Sequence, residues 1–487
     1  MMKLGVFSNE TFMPLRGTKE DENQSYFQMK KMKLALVNTI NPQPHKWDLQ
    51  TTAPPLGLLS LMVYLKEKFP EKLQIKIVET LSELLDFGPD LVGFSSVTEN
   101  FSIAENLAKE VKSRLSIPIF IGGVHISLLP QTLPEVFDFA VIGEGEETLL
   151  ELINLLWKEG KFTYNKLKNI QGLCIRDKDK LILTPPRPFI KNLDTLPHIP
   201  RTQIDRSGII HMVTSRGCCY KCSFCSTTNF WKTHRIHSAN YVAEDLRHIM
   251  HNINPPHIKF FDDLFIINRN RIAKLSKIIK EEGLAPEGGY SCFVRANLLD
   301  EEMVKHLAEM NFLAVSFGVE SASPAILAKL KPSSSLELSQ RAIDLLYKYG
   351  IKISCSFILG TPGETEEDLE ATFNFIVKNE EKILEIEVCP LVPLPGTEIW
   401  EYALLKGLVK IPMDWSLLTD YSIFTHFSPD RYIYLNPSMP WNTFLSYCKR
   451  FGELYLHFNK KSRYIFSNIF YKIFYPVINN KTKKEEK

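Results

Sequence analysis

Ser215-Arg-Gly-Cys218-Cys-Tyr-Lys-Cys222-Ser-Phe224-Cys225 follows directly on the apolar run Ile209–Thr214. Cysteines at i, i+4 and i+7 on a glycine-led loop can bring three thiolates to one inorganic centre, with Cys219 as an extra outside that spacing. Three is the informative number. A structural zinc site takes four ligands, whereas a four-iron cluster held by three cysteines keeps one iron open. The competing readings are zinc completed by His211, His234 or His237, and a loop of unrelated thiols.

The run before this loop is the first of a series. Apolar stretches at Ile209–Thr214, Ile258–Phe261, Tyr290–Val294, Ala314–Phe317, Ile353–Leu359 and Ile386–Leu391 alternate with helix-length segments. Six strand-helix units predict an incomplete (β/α)6 barrel over residues 206–425, with its chemistry at the carboxyl ends of the strands. A second alternating series lies upstream: Leu34–Val37, Leu73–Val78, Leu91–Ser95, Ile117–Ile121 and Phe139–Ile142, with helical patterns at Leu58–Phe69, Phe101–Leu115 and Glu147–Leu156. It predicts a doubly wound, Rossmann-like parallel sheet over 32–160, an α/β domain whose ligand sits beyond the strand ends. Those ends carry small residues: Ser95-Ser96, Gly122-Gly123 and Gly143-Glu144-Gly145-Glu146.

Residues 161–205, rich in Lys, Asp and Pro, read as a linker with a small hairpin. Residues 1–31 read as a polar extension, and 426–487 as an aromatic, basic and mainly helical segment. With 487 residues, 44% hydrophobic and 23% charged, the chain has ordinary globular composition, which excludes a disordered, collagen-like or membrane-embedded protein. Its net charge of +2 advertises no nucleic acid. No secretory signal is evident, and a cytoplasmic location is expected. Nine cysteines, four of them within eight residues, argue for a metal site over a disulfide framework.

The Cys218-x3-Cys222-x2-Cys225 motif, with Phe224 before its third cysteine, resembles the cluster motif of the radical S-adenosylmethionine (SAM) superfamily. The resemblance implies a [4Fe-4S] cluster held by Cys218, Cys222 and Cys225. It continues along the barrel. Asp262-Asp263 stands where relatives hold the SAM amino end, and Arg295 and Glu320 match positions near the SAM carboxylate and ribose. Gly360 and Gly363, in Gly360-Thr-Pro-Gly363-Glu364, are similar to the glycine motif beside the adenine. Each feature also has a plainer reading. The aspartates could cap a helix, Arg295 and Glu320 could be surface charges, and Gly363-Glu364 could close a turn.

The upstream domain is similar to the cobalamin-binding domain of B12-dependent radical SAM enzymes, which implies a cobalamin site built around Ser95, Ser96, Gly122 and Gly123. The plainer reading of Gly122-Gly123 is a tight turn, and of Glu144 to Glu147 helix-capping acids. The Asp-x-His-x-x-Gly element of cobalamin mutases is absent; His45 and His125 could sit near the corrin, and the plainer reading of each is a solvated or capping loop histidine.

The implied activity is reductive cleavage of SAM to a 5′-deoxyadenosyl radical, with methylcobalamin methylating an unactivated carbon. The alternatives are a cyclase of the anaerobic magnesium-protoporphyrin ester type, modification of hopanoid-like lipids, and a cobalamin or redox sensor without turnover. The resemblance also implies an electron donor such as flavodoxin or ferredoxin, and a small-molecule or lipid substrate. Methylthiotransferases are set aside because no cysteine precedes Cys174. In the tail, Phe444, Tyr447, Phe451, Tyr455 and Phe458 fall at helical spacing, and Tyr464–Tyr475 adds further aromatics. This is either a helix packing on the barrel or an interfacial helix in peripheral contact with the inner face of the membrane.

Overall fold

Two series of β-branched and aromatic runs build two sheets, one mainly and one wholly parallel. The computed structural model describes residues 31–40, 54–178, 180–200, 209–419, 427–458 and 460. The first sheet contains β1 (Met32–Asn38), β2 (Leu73–Val78), β3 (Leu91–Ser95), β4 (Ile119–Gly122), β5 (Phe139–Val141), β6 (Leu173–Asp177) and β7 (Lys180–Leu183). Their order is β2-β1-β3-β4-β5-β6-β7, parallel through β5. Leu34 to Val37 of β1 are all buried, which explains why this central strand is continuously apolar.

The hairpin expected inside the linker belongs to the sheet instead. β6 pairs antiparallel with β5, placing Ala140 opposite Cys174, and β7 pairs antiparallel with β6. Leu173, Cys174 and Ile175 are fully buried there, so residues 173–183 extend the first domain beyond 160.

The second sheet contains β8 (Ile209–Met212), β11 (His257–Phe260), β12 (Tyr290–Phe293), β13 (Phe312–Glu320), β14 (Lys352–Leu359) and β15 (Glu385–Pro390). Its order is β15-β14-β13-β12-β11-β8, all parallel, which is the open barrel expected. Between its first two strands, the ribbon of β9 (Ser215–Arg216) and β10 (Arg235–Ile236) brackets the cysteine loop. Ser238, Asn268, Asp300, Ser335, Thr365 and Thr397 cap the following helices by accepting from the amide three residues on.

The two halves share buried surface. Ile358, Leu391 and Trp400 of the second half belong to the core that fills the first. Residues 441–458 form a helix whose Phe444, Tyr447, Phe451 and Phe458 are buried against the barrel, with the Phe451 ring 5.5 Å from Phe373. The tail stretch 464–475 and His45 lie outside the described residues. Among those described, no helix is long and apolar enough to cross a membrane.

Candidate functional site

The cysteine loop leaves β9 through Gly217, whose φ of +89° and lack of side chain are both required: a Cβ there would lie 2.3 Å from the Thr233 carbonyl. The Cys225 amide donates to the Cys222 carbonyl at 3.1 Å, folding the loop back on itself. The Ser223 amide donates to Leu330 O at 3.0 Å, at the end of the helix Pro324–Leu330, and the Ser226 hydroxyl to Pro395 O at 2.9 Å, in the loop after β15, which fixes the cysteine loop at two points. Cys218, Cys222 and Cys225 are half-buried and Cys219 is exposed, as an extra outside the ligand set would be.

Burial pushes the Cys218 thiol up to about 11, so its thiolate needs a positive centre beside it. Among the described residues, no three His, Cys, Asp or Glu side chains are arranged to hold a single metal ion. Three cysteines on one loop fit a cluster, whose irons each take one thiolate, better than zinc, which would need a fourth donor from His211, His234 or His237. Phe224, half-buried, packs against the core of the first domain.

The remaining barrel positions divide. Asp262 is fully buried, and its Oδ1 accepts from the Thr214 amide at 2.9 Å, the Thr214 hydroxyl at 3.0 Å and Ser215. It ties β8 to the cysteine loop, while Asp263 is exposed in the cavity wall and accepts from Thr227 at 3.3 Å. Arg295 is buried, with its guanidinium 3.9 Å over the Tyr220 ring and Nη1 donating to Cys222 Sγ at 3.2 Å. It holds Cys222, one of the three expected cluster ligands.

Glu320 is neither exposed nor unpaired. It adopts φ +68° where the β13–β14 register shifts, and Lys331 Nζ lies 3.0 Å from its carboxylate. A Cβ on Gly318 would strike that carboxylate. A non-glycine residue held in this strained conformation is a mark of a functional site. Gly360 and Gly363 also have positive φ. The Gly360 amide donates to Glu364 at 2.6 Å, and the Gly363 amide to Asn436 at 2.9 Å.

The first domain opens a cavity of about 410 Å³ toward the barrel mouth. Gly93, Gly122, Gly123 and Gly145 line one side, and Arg216, Trp231, His237 and Asp263 the other. The strand order reverses between β1 and β3, the point at which such sheets take ligands. At that reversal the hydroxyls of Thr39 and Ser96 are buried without a partner among the described residues. Gly123, with φ +110°, stands so close to the Ser96 backbone that a Cβ would lie 2.2 Å from its carbonyl. A glycine cradle with two unsatisfied hydroxyls fits the polar tail of a nucleotide-bearing cofactor.

His125 faces neither. Its nitrogens lie 3.2 Å from Thr98 and Thr132, its ring centroid lies 3.9 Å from that of Phe101 at a tilt of 32°, and burial lowers its pKa to about 3. It is a core histidine. His237 does line the cavity, with Nδ1 3.3 Å from Asp194 and the ring 4.1 Å from Tyr241, and burial draws it down to about 4 against the pull of Asp194.

What sequence reasoning missed is the joint between the halves. Arg216 places Nη1 2.5 Å from Glu144 and Nη2 2.7 Å from Glu146, and Arg235 lies 2.9 Å from Glu144. All four side chains are nearly inaccessible, at 13% or less. Burial opposes ionisation of Glu146, but Arg216 outweighs it and holds the carboxyl below its usual range. These acids, read as helix caps, clamp the first domain to the cysteine loop.

Comparison with known proteins gives the same division. The profile of the B12 binding domain matches residues 48–153 and that of the Radical SAM superfamily residues 212–376. A Pyrococcus horikoshii protein described as an uncharacterized methyltransferase is 34% identical over 413 residues, covering 80% of this chain and 87% of that one. The anaerobic magnesium-protoporphyrin IX monomethyl ester cyclase of Rubrivivax gelatinosus is 29% identical over 304 residues, covering 58% and 53%. The structure of the radical SAM methyltransferase TsrM from Kitasatospora setae, with cobalamin and a [4Fe-4S] cluster bound, superposes with a TM-score of 0.66 at 17% identity. It covers 87% of this chain and 91% of that one.

Proposed function

Because this chain belongs to the cobalamin-dependent radical SAM enzyme family, we propose that it methylates an unactivated carbon of its substrate. One observation carries the reading: a single cavity is lined by the glycine cradle of the first domain and by residues flanking the cysteine loop of the second. Enzymatic membership sets aside the sensor alternative.

When bound, the cluster with SAM supplies a carbon-centred radical and cobalamin a transferable methyl group. The chain's part is positioning. Cys218, Cys222 and Cys225 would hold the cluster, with Arg295 donating to the Cys222 sulfur and so limiting its swing. Thr39 and Ser96 would satisfy polar atoms of the cobalamin tail, and Gly123 lets that tail approach the backbone. Phe230 and Trp231 give the barrel side of the cavity an apolar wall. Asp263, exposed there and accepting from Thr227, is the carboxylate that would meet an ammonium group of SAM.

The test is anaerobic incubation of reduced protein, loaded with both cofactors, with methyl-deuterated SAM and a metabolite extract. The expected result is a metabolite carrying the labelled methyl group, absent with Cys222→Ala. Cyclisation, suggested by the relationship to the Rubrivivax cyclase, predicts 5′-deoxyadenosine with no label transferred.

A further inference from the structure

The barrel has two unlike faces. Positions 258, 260, 290, 292, 315, 317, 353, 355, 386 and 388 pack into the helix-covered core. The intervening residues point the other way, into the lumen, and stay partly accessible: Lys259 on β11, Ser291 on β12, Ser316 on β13, Ser354 on β14 and Glu385 on β15. The lumen of a closed barrel is filled by bulky branched side chains. This one carries hydroxyls and charges, with the Phe261 and Phe293 rings beside them.

Lys259 is the unusual member. Its Nζ lies 5.4 Å from the Phe261 ring centroid and 4.9 Å from that of Phe293, and among the described residues it has neither a hydrogen bond nor an ion pair within 4 Å. Glu385 acts on it electrostatically from four strands away, a separation of roughly 19 Å in a flat sheet. The curl of the open barrel brings the two within electrostatic reach of each other. Burial draws the ammonium below its ordinary pKa, with Glu385 opposing. A partly accessible ammonium that meets only two aromatic rings and no hydrogen-bonding partner among the described residues is open to the oxygens of a ligand.

We propose that Lys259 anchors an oxyanion of the substrate, a carboxylate or a phosphate, in the polar lumen of the barrel. The Phe261–Phe293 pair, edge to face at 5.7 Å, forms the apolar wall beside the anchor. The substrate is then a polar, anion-bearing molecule, and a neutral lipid is excluded. This substrate class rests on the proposed methyl transfer, but its test does not use turnover.

Anaerobic protein carrying cluster, SAM and cobalamin is titrated calorimetrically with inorganic phosphate and, separately, with glutarate; the tighter of the two identifies the oxyanion. The expected result is saturable binding of at least one. Lys259→Met should weaken it about tenfold or more, as loss of a hydrogen bond to a charged group does. Lys259→Arg should largely retain it, and Glu385→Gln should strengthen it by removing the opposing charge. Unchanged cluster absorbance and unchanged SAM cleavage to 5′-deoxyadenosine in Lys259→Met show that the fold and the radical chemistry are intact. Absence of saturable binding of both anions, or equal affinity in wild type and Lys259→Met, overturns the proposal. Loss of SAM cleavage in wild type would instead count against the methyltransferase reading.

Discussion

Arg216 Nη2 lies 2.7 Å from Glu146 Oε1, joining the residue two before Cys218 to the last glycine-rich turn of the cobalamin domain. The same guanidinium donates to Ser60 at 3.1 Å and pairs with Glu144. The first domain and the cysteine loop are therefore held in register by buried charge as well as by shared apolar core.

Removing that guanidinium leaves Glu146 buried without its cation, whereas Glu144 keeps Arg235. Arg216→Met should cost about 3–5 kcal/mol of stability, the usual penalty for breaking a buried pair from one side. The Arg216→Met, Glu146→Gln double variant should recover part of that loss, because no unpaired charge remains. Urea midpoints of the three proteins measure both effects, and a double variant less stable than Arg216→Met would contradict them.

Glu364 gives a pH dependence. Burial raises its carboxyl from 4.5 to about 8, against the Gly360 amide that favours the charged form. The folded state thus holds the proton more tightly than the unfolded chain. The stability gained is complete below about 4.5 and is lost as pH rises through about 8. Between pH 6.5 and 9 the wild-type urea midpoint should fall, and Glu364→Gln should flatten that fall. An equal fall in both proteins would assign it to other groups.

Gly123 tests the cradle. Alanine there would bring Cβ to 2.2 Å from Ser96 O at a φ of +110°. Gly123→Ala should lower cobalamin affinity by about tenfold or more, as binding free energy is spent on displacing the Ser96 backbone. Cluster assembly at Cys218, Cys222 and Cys225, in the other domain, should be unaffected. Cobalamin titration followed by visible absorbance, alongside iron content, separates the two.

The sequence reading reached the strands and the cysteine motif because both are local. Continuous apolar runs such as Leu34–Val37 report parallel strands directly, and the 218, 222, 225 spacing reports a shared centre. The short Leu173–Asp177 strand, set among Lys, Asp and Pro, carried too little pattern to separate a sheet edge from a linker. Arg216 with Glu146 is a contact across 70 positions, invisible to any spacing rule. Asp262 and Asp263 look alike in sequence, yet one is buried under Thr214 and the other faces the cavity. Lys259 was hidden by an ambiguity of period: polar residues alternating along a strand describe a solvent face and a lumen equally well.

The central claim is that Cys218, Cys222 and Cys225 hold a cluster whose open iron receives SAM. Its most direct measurement is iron, sulfide and zinc content of anaerobically reconstituted protein, followed by dithionite reduction with SAM and quantification of 5′-deoxyadenosine. The account predicts brown protein with about four irons and four sulfides per chain, and 5′-deoxyadenosine formation that Cys222→Ala abolishes. Colourless protein carrying stoichiometric zinc, or 5′-deoxyadenosine at the level of Cys222→Ala, would contradict it.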